Sequence, residues 1–148
     1  MPEKKTLERA REDAREGKAP STQAGEFVRE EIEHVREGKH GARSTKQAIA
    51  IGLSKARRAG VKLPAPAKGK ASERTRAQAQ RDTKRSQEKR AVSPKRSRAV
   101  KSALKREGKQ AASRSALSRQ ARSSAQRRGA TSRKQAARKA ARTRTAGA

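Results

Sequence analysis

Residues 22–37 read TQAGEFVREEIEHVRE, and this stretch decides the fold of the chain. On a helical wheel, one face holds the apolar residues Ala24, Phe27, Val28, Ile32 and Val35. The opposite face holds the acidic residues Glu26, Glu30, Glu33 and Glu37. This division is typical of an amphipathic helix that packs on one side only. Ser21 or Thr22 is the expected N-cap, and Gly38 is expected to end the helix.

Shorter patterns of the same kind lie on both sides of this stretch. A first helix is predicted over about residues 3–16, with an apolar face of Leu7, Ala10 and Ala14. A third is predicted over about residues 45–59, between the N-cap Ser44 and the stop signal Gly60, with an apolar face of Ile49, Leu53 and Ala56. The expected fold class is therefore mostly α, with residues 1–63 forming a small head of about three short helices.

The expected core of this head is small. Ten sizeable apolar residues have to offset the conformational entropy that ordering the whole head costs. The head is therefore predicted to be marginally stable by itself. A homodimer through the head, or bound nucleic acid, is the expected means of stabilising it.

From residue 64 onward the composition changes. Residues 64–71 read PAPAKGKA and are predicted to form an extended, solvated linker. Residues 72–148 form a basic tail rich in Arg, Lys, Ala and Ser, and its large apolar residues are Val92, Val100, Leu104 and Leu117. Four such residues cannot make a core. The tail is therefore predicted to be low in complexity and, when unbound, disordered or a fluctuating helix.

The charge of the chain is concentrated in this tail. The chain has 42 Lys and Arg against 14 Asp and Glu, and a formal net charge of +28. Residues 1–40 contain ten acidic and nine basic side chains, whereas residues 64–148 contain four acidic and 27 basic ones. A near-neutral head followed by a strongly basic tail predicts a polyanion as partner. With one Phe and no Tyr or Trp, base stacking is not expected, which favours duplex over single strands.

Binding to a phosphate backbone requires cationic side chains and hydrogen-bond donors. Arg43, Ser44 and Lys46 are predicted to contact phosphate at the N-terminus of the third helix, where the helix dipole favours anions. Arg57 and Arg58, near the end of that helix, are further candidates. The candidates in the tail are the adjacent cation pairs Lys84, Arg85, Lys89, Arg90, Lys95, Arg96, Lys105, Arg106, Arg127, Arg128, Arg133, Lys134, Arg138 and Lys139.

Catalysis is not expected, because the sequence offers no group of residues that would form a water-excluding pocket. There is no Cys and no phosphate-binding glycine loop. His34 and His40 are separated by Gly38 and do not share a helix face, and a metal site there would need carboxylates such as Glu33 or Glu37. Exposed histidines near a helix end are expected instead. No enzyme activity, metal or cofactor is predicted.

Membrane insertion and secretion are not expected either. No apolar run approaches the roughly 18 residues of a membrane span. The initial residues MPEKK are not followed by the apolar stretch of a secretory signal. The expected location is the cytoplasm, in association with the nucleoid.

Residues 41–60 read GARSTKQAIAIGLSKARRAG. With the preceding turn Gly38-Lys39, they resemble a segment of an uncharacterised family of small basic bacterial proteins that are often labelled DNA-binding. The resemblance implies a bacterial source and a chromosome- or stress-related role. The tail is similar in composition to the C-terminal tails of linker histones and of bacterial histone-like proteins, although it has more Arg and Gln and less Pro.

These observations favour non-specific binding of duplex DNA through neutralisation of backbone phosphates, in the manner of a histone-like nucleoid protein. An alternative is an RNA- or ribosome-associated basic protein, since a basic tail serves either polymer. Another alternative is a disordered stress-protection protein, although such chains are usually closer to neutral.

Overall fold

The computed structural model describes residues 1–88 and 91–147, and these residues are about 74% helical. They form six α-helices and one short 3-10 helix, the latter at Gln110–Ala112. The α-helices are α1 (Lys4–Arg15), α2 (Pro20–Glu37), α3 (Thr45–Arg58), α4 (Glu73–Glu88), α5 (Pro94–Lys105) and α6 (Arg114–Ala146).

The three helices predicted for the N-terminal part are confirmed, with the expected ends. Gly17, Gly38 and Gly60 follow them with φ of 71°, 78° and 97°, which is the left-handed conformation that ends helices. Ser44 caps α3, because its hydroxyl accepts a hydrogen bond from the Gln47 N–H at 3.2 Å. The predicted cap of α2 is wrong: α2 begins two residues earlier, at Pro20. Proline fits there because the first turn needs no N–H donor.

Helix α2 is the centre of the fold and packs against both α1 and α3. Along its first half lies a cluster of Ala10, Ala24, Phe27 and Ala56, with Leu7, Leu53, Val61 and Leu63 around it. Along its second half lies a cluster of Ile32, Val35, Ala42, Ala48, Ala111 and Ala112, with Val28 and Leu117 around it. The second cluster combines residues from the predicted head and from the predicted tail.

The prediction of a low-complexity, disordered tail is therefore wrong. Ala111 and Ala112 are 7% and 1% exposed, and the Thr45 hydroxyl donates a 2.6 Å hydrogen bond to the carbonyl of Ala111. The Gly41 N–H donates to the Leu104 carbonyl at 2.9 Å. Small residues, backbone hydrogen bonds and the partly buried Leu117 make this contact, so it needs few large apolar residues. The segment around Ala111 and Ala112 covers the core of the head from within the same chain.

Helix α4 packs against α3. Ala79 and Asp82 are 4% and 1% exposed in this contact, and the Asp82 carboxylate lies 3.8 Å from the Arg58 guanidinium. The linker before α4 is held in place, since Arg76 donates to the Pro66 carbonyl at 3.0 Å. The tail thus begins its packing on the head soon after residue 71.

The outer part of the chain is helical but exposed. No residue of α5 or α6 is buried, and Val92 and Val100 are 65% and 52% exposed. Gly129 has φ of 73° and ψ of 166°, so α6 consists of two helical runs, 114–128 and 130–146, joined at a kink. Every described residue from 126 to 147 is exposed.

Candidate nucleic-acid interface and a buried polar cluster

Helix α6 carries more cations than any other helix of the described chain. Its 33 residues include eleven Lys or Arg and no Asp or Glu. In each of the two runs of α6, the cations are spread around the helix rather than along one side. Six of the eleven follow the kink, in residues 130–146, a run about 25 Å long at about 1.5 Å per residue.

A shallow depression lies where α6 begins. It is lined by Arg36, Lys109, Ala112, Ser113 and Arg114. The Arg36 guanidinium also donates a 3.0 Å hydrogen bond to the carbonyl of Ala112, which holds its side chain at this place. Arg36 of α2 therefore lies beside two cations of the segment that begins α6, Lys109 and Arg114, at a helix start where free N–H groups add to the positive potential.

The three residues predicted at the start of α3 are all exposed, namely Arg43, Ser44 and Lys46. The Ser44 hydroxyl already accepts a hydrogen bond from within the helix, and the Gln47 side-chain oxygen accepts the Arg43 N–H at 2.7 Å. These local bonds use part of the hydrogen-bonding capacity of the turn. The cations of Arg43 and Lys46 remain at the surface.

The two arginines at the end of α3 have different environments. Arg57 is 7% exposed and donates to the carbonyls of Leu63 and Pro64 at 3.3 and 3.2 Å. Burial lowers the pKa of Arg57, and the nearby Asp82 partly opposes that shift. Arg58 is exposed but donates to the Ser54 carbonyl and faces Asp82. Arg57 thus ties the end of α3 to the linker, and its side chain is buried there.

The remaining predicted cations lie on α4, α5 and α6 or just after α5. All those that the structure describes are exposed: Lys84, Arg85, Lys95, Arg96, Lys105, Arg106, Arg127, Arg128, Arg133, Lys134, Arg138 and Lys139. Lys89 and Arg90 lie outside the described residues.

A second polar site, which no sequence pattern indicates, lies inside the head. Glu30 and Glu31 are 3% and 0% exposed, although Glu30 was expected on the solvent face of α2. Lys55 of α3 bonds to both carboxylates, reaching Oε1 of Glu30 at 3.1 Å and Oε1 of Glu31. The Glu3 N–H donates to the second oxygen of Glu30 at 3.0 Å.

Both histidines join this cluster and are mostly buried, with side chains 13% and 16% exposed. Nδ1 of His34 lies 3.7 Å from Oε1 of Glu31, and Nε2 of His40 lies 3.3 Å from Oε2 of Glu31. The chain reversal at Gly38 carries His40 back over the end of α2. Exposed histidines were expected because the helical wheel does not include the turn that follows the helix.

Hydrogen bonds lower the pKa of two carboxyl groups of the cluster, those of Glu30 and Glu3. Burial would raise the pKa of Glu30, but the Glu3 N–H, the Thr6 hydroxyl and Lys55 outweigh it and hold the pKa below its ordinary value. Hydrogen bonds from His34 and Lys39 lower the pKa of Glu3. The cluster therefore gathers three carboxylates around the two histidines, with Lys39 and Lys55 as their ammonium partners.

Residues 21–68 match the Family of unknown function (DUF6496). This segment includes α2 from its second residue onward, all of α3, and five members of the buried cluster: Glu30, Glu31, His34, His40 and Lys55. Helix α6 lies outside it. No curated protein and no solved structure matches the chain.

Among the described residues, no helix is both long enough and apolar enough to cross a bilayer.

Proposed function

We propose that the protein binds nucleic acid through its basic helical surface, with duplex DNA as the favoured form and little sequence preference. The observation that carries the proposal is α6, with eleven cations, no acidic residue and an exposed outer run. Duplex DNA carries about one negative charge per 1.7 Å of its axis. A run about 25 Å long therefore faces roughly 15 phosphate charges if it lies along the duplex.

The composition of the surface supports backbone contact over base readout. The single Phe, Phe27, is fully buried, so no aromatic side chain is free to stack on a base. Single-strand binders without sequence preference usually rely on such stacking. Contacts to phosphate position a protein on the duplex but carry no sequence information.

The distribution of charge around α6 separates this function from two others. A helix that lies on a membrane has an apolar face, and so does one that docks into a groove on another protein. The outer run of α6 instead consists of Arg, Lys, Ala, Gln, Ser and Thr, with cations on most of its circumference. A polyanion that can approach from several sides fits this arrangement, and in the cell it would place the protein on the nucleoid.

The test is a salt titration of binding by fluorescence anisotropy, with a 30-base-pair duplex and full-length protein. One variant combines R133Q, K134Q, R138Q and K139Q in α6. The control combines K4Q, K5Q, R11Q and R15Q, which removes the same charge from exposed positions in α1. Each phosphate contact contributes about 0.9 to the slope of log affinity against log salt. The α6 variant should make the fall of log affinity with log salt shallower by about 3 to 4 in slope, and the α1 variant should leave the slope nearly unchanged.

Equal losses in the two variants would show that net charge, and not the α6 surface, governs binding. A structured RNA hairpin and a single strand are measured at the same salt concentration. Tighter binding of the hairpin than of the duplex would favour the RNA alternative, and absence of binding to all three would refute the proposal.

A further inference from the structure

The carboxylate of Glu31 has one oxygen without a partner. Its side chain is 1% exposed, and Oε2 accepts no hydrogen bond, whereas Oε1 is bonded to Lys55. Buried carboxylate oxygens are normally hydrogen-bonded, paired with a cation or bound to a metal ion. The group that faces Oε2 is Nε2 of His40, at 3.3 Å.

When an imidazole ring is neutral, the hydrogen-bond partner of its outer nitrogen determines which of the two nitrogens carries the proton. Nδ1 of His40 lies 3.0 Å from the Gly41 carbonyl oxygen, which can only accept. Nε2 of His34 lies 2.9 Å from Oε1 of Glu3, which also accepts when ionised. Both protons therefore sit on the outer nitrogens. Each ring then directs a lone pair toward Glu31, through Nε2 of His40 and Nδ1 of His34.

We propose that Glu31, His34 and His40 form a binding site for a first-row divalent metal ion, with Zn²⁺ as the best match. Two imidazole nitrogens and one carboxylate oxygen are a common zinc ligand set, which leaves a fourth position for water. The proposal is independent of nucleic-acid binding. It uses residues of α2 and of the turn after it, not the cationic surface.

The spacing of the donor atoms fits a tetrahedral ion. Bonds of about 2.0–2.2 Å place neighbouring ligand atoms about 3.3–3.6 Å apart. Oε2 of Glu31 and Nε2 of His40 already have this separation, at 3.3 Å. The site offers one donor from each of the three residues, all within 4.8 Å of one another. To close the site around an ion, the more distant donor atoms have to approach from at most 4.8 Å to about 3.3–3.6 Å of one another.

The outer hydrogen bonds are those that a metal site requires. Histidine ligands usually donate their second N–H to a carboxylate or a backbone carbonyl, which fixes the ring and strengthens the donor nitrogen. Glu3 serves His34 in this way, and the Gly41 carbonyl serves His40. Neither Glu3 nor Gly41 belongs to a helix, so these two acceptors are not used in the hydrogen bonds of the helical backbone.

The local charge also favours a cation. Glu3, Glu30 and Glu31 surround the histidines, and the ammonium groups of Lys39 and Lys55 offset two of these three charges. Lys55 occupies only Oε1 of Glu31. The remaining oxygen and one net negative charge stay available to the ion.

A bound ion would join the end of α2 to the turn at residues 38–41. The same turn holds the tail, since the Gly41 N–H bonds to the Leu104 carbonyl. Metal binding is therefore expected to slow amide hydrogen exchange in residues 38–42 and, through Gly41, in residues 104–113.

The test uses the untagged full-length chain, treated with EDTA, freed of chelator and titrated with Zn²⁺ against a chromophoric competitor. One ion per chain is expected. Co²⁺ in place of Zn²⁺ should give the intense visible absorption of a tetrahedral site. Binding of several ions with no defined stoichiometry would refute the proposal, as would no saturable binding.

Variants assign the ligands. H34A and H40A should each abolish the Co²⁺ spectrum, and E3Q should weaken Zn²⁺ binding by roughly 10–100-fold, the usual effect of losing such an outer partner. E33Q removes an exposed carboxylate from the same helix and should leave affinity unchanged. Circular dichroism shows whether each variant folds. If a histidine variant does not fold, E3Q still tests the site, because Glu3 is exposed and its substitution leaves the core unchanged. Unchanged affinity in H34A and H40A, or in E3Q, would overturn the assignment.

Discussion

Substitution of Gly41 by alanine tests whether the tail is docked on the head. A Cβ at this position would overlap the backbone carbonyl of Glu107 and would lie 2.8 Å from the Gly108 carbonyl oxygen. These are backbone atoms, which cannot rotate away as the end of a side chain can. Either the turn at residues 40–42 or the segment 104–108 has to move.

The cost follows from these contacts. Overpacking at a closely packed site typically costs about 1–3 kcal/mol. The shift would also weaken two backbone hydrogen bonds, from Gly41 to Leu104 at 2.9 Å and from Ala42 to Gly108 at 3.2 Å. Each is worth about 1 kcal/mol net. We expect G41A to lower the free energy of unfolding by about 2–4 kcal/mol, which corresponds to a fall in Tm of roughly 10 °C for a chain of this size.

The measurement combines urea denaturation with amide hydrogen exchange, and G25A is the matched control. Gly25 is exposed within α2, and a Cβ there meets nothing within 4 Å. G25A should therefore stabilise the protein by about 0.5–1 kcal/mol through better helix propensity. In G41A, exchange should accelerate in residues 104–113. If G41A is as stable as G25A and its exchange pattern matches the parent protein, the docking of the tail is refuted.

Three further predictions concern the head and its contact with the tail. In G52A, the new Cβ would lie 2.6 Å from the Val28 Cα in the contact between α2 and α3, so we expect a net loss of about 1–2 kcal/mol in urea denaturation, and a gain would contradict the close approach. In S44A, loss of the N-cap bond to Gln47 should cost about 1 kcal/mol, again by urea denaturation, and a neutral result would mean that the cap contributes nothing. In T45V, the buried Ala111 carbonyl loses its 2.6 Å donor, which should cost about 1–3 kcal/mol and accelerate exchange in residues 110–113, whereas unaltered exchange would argue against that bond.

The candidate interface was more predictable from the sequence than the buried cluster. Long runs of Arg and Lys without acidic residues, such as the outer part of α6, are exposed in almost any fold because unpaired charges are costly to bury. Arg57 is a cation that is nevertheless buried, because its guanidinium donates hydrogen bonds to two backbone carbonyls. Glu31 and His40 meet because of a reversal at Gly38, and their proximity depends on the path of the chain after the helix. Gly38, between the two histidines, was a sequence signal for a chain reversal. A helical wheel ends at that glycine and therefore does not show that His40 returns to the helix.

The sequence alone determined the features that depend on near neighbours. The three N-terminal helices, their glycine ends and the cap at Ser44 follow from local periodicity and local hydrogen bonds, and the concentration of charge after residue 64 follows from composition. Only the tertiary structure decided that Ala111 and Ala112 complete the core, that Asp82 is buried and that Glu31 faces two histidines. In each of these contacts, neither the size of the residues nor their spacing in the sequence indicates which residues will meet. The docking of the tail depends on a missing Cβ at Gly41 beside a carbonyl 66 residues later, a steric match that no local pattern in the sequence reveals.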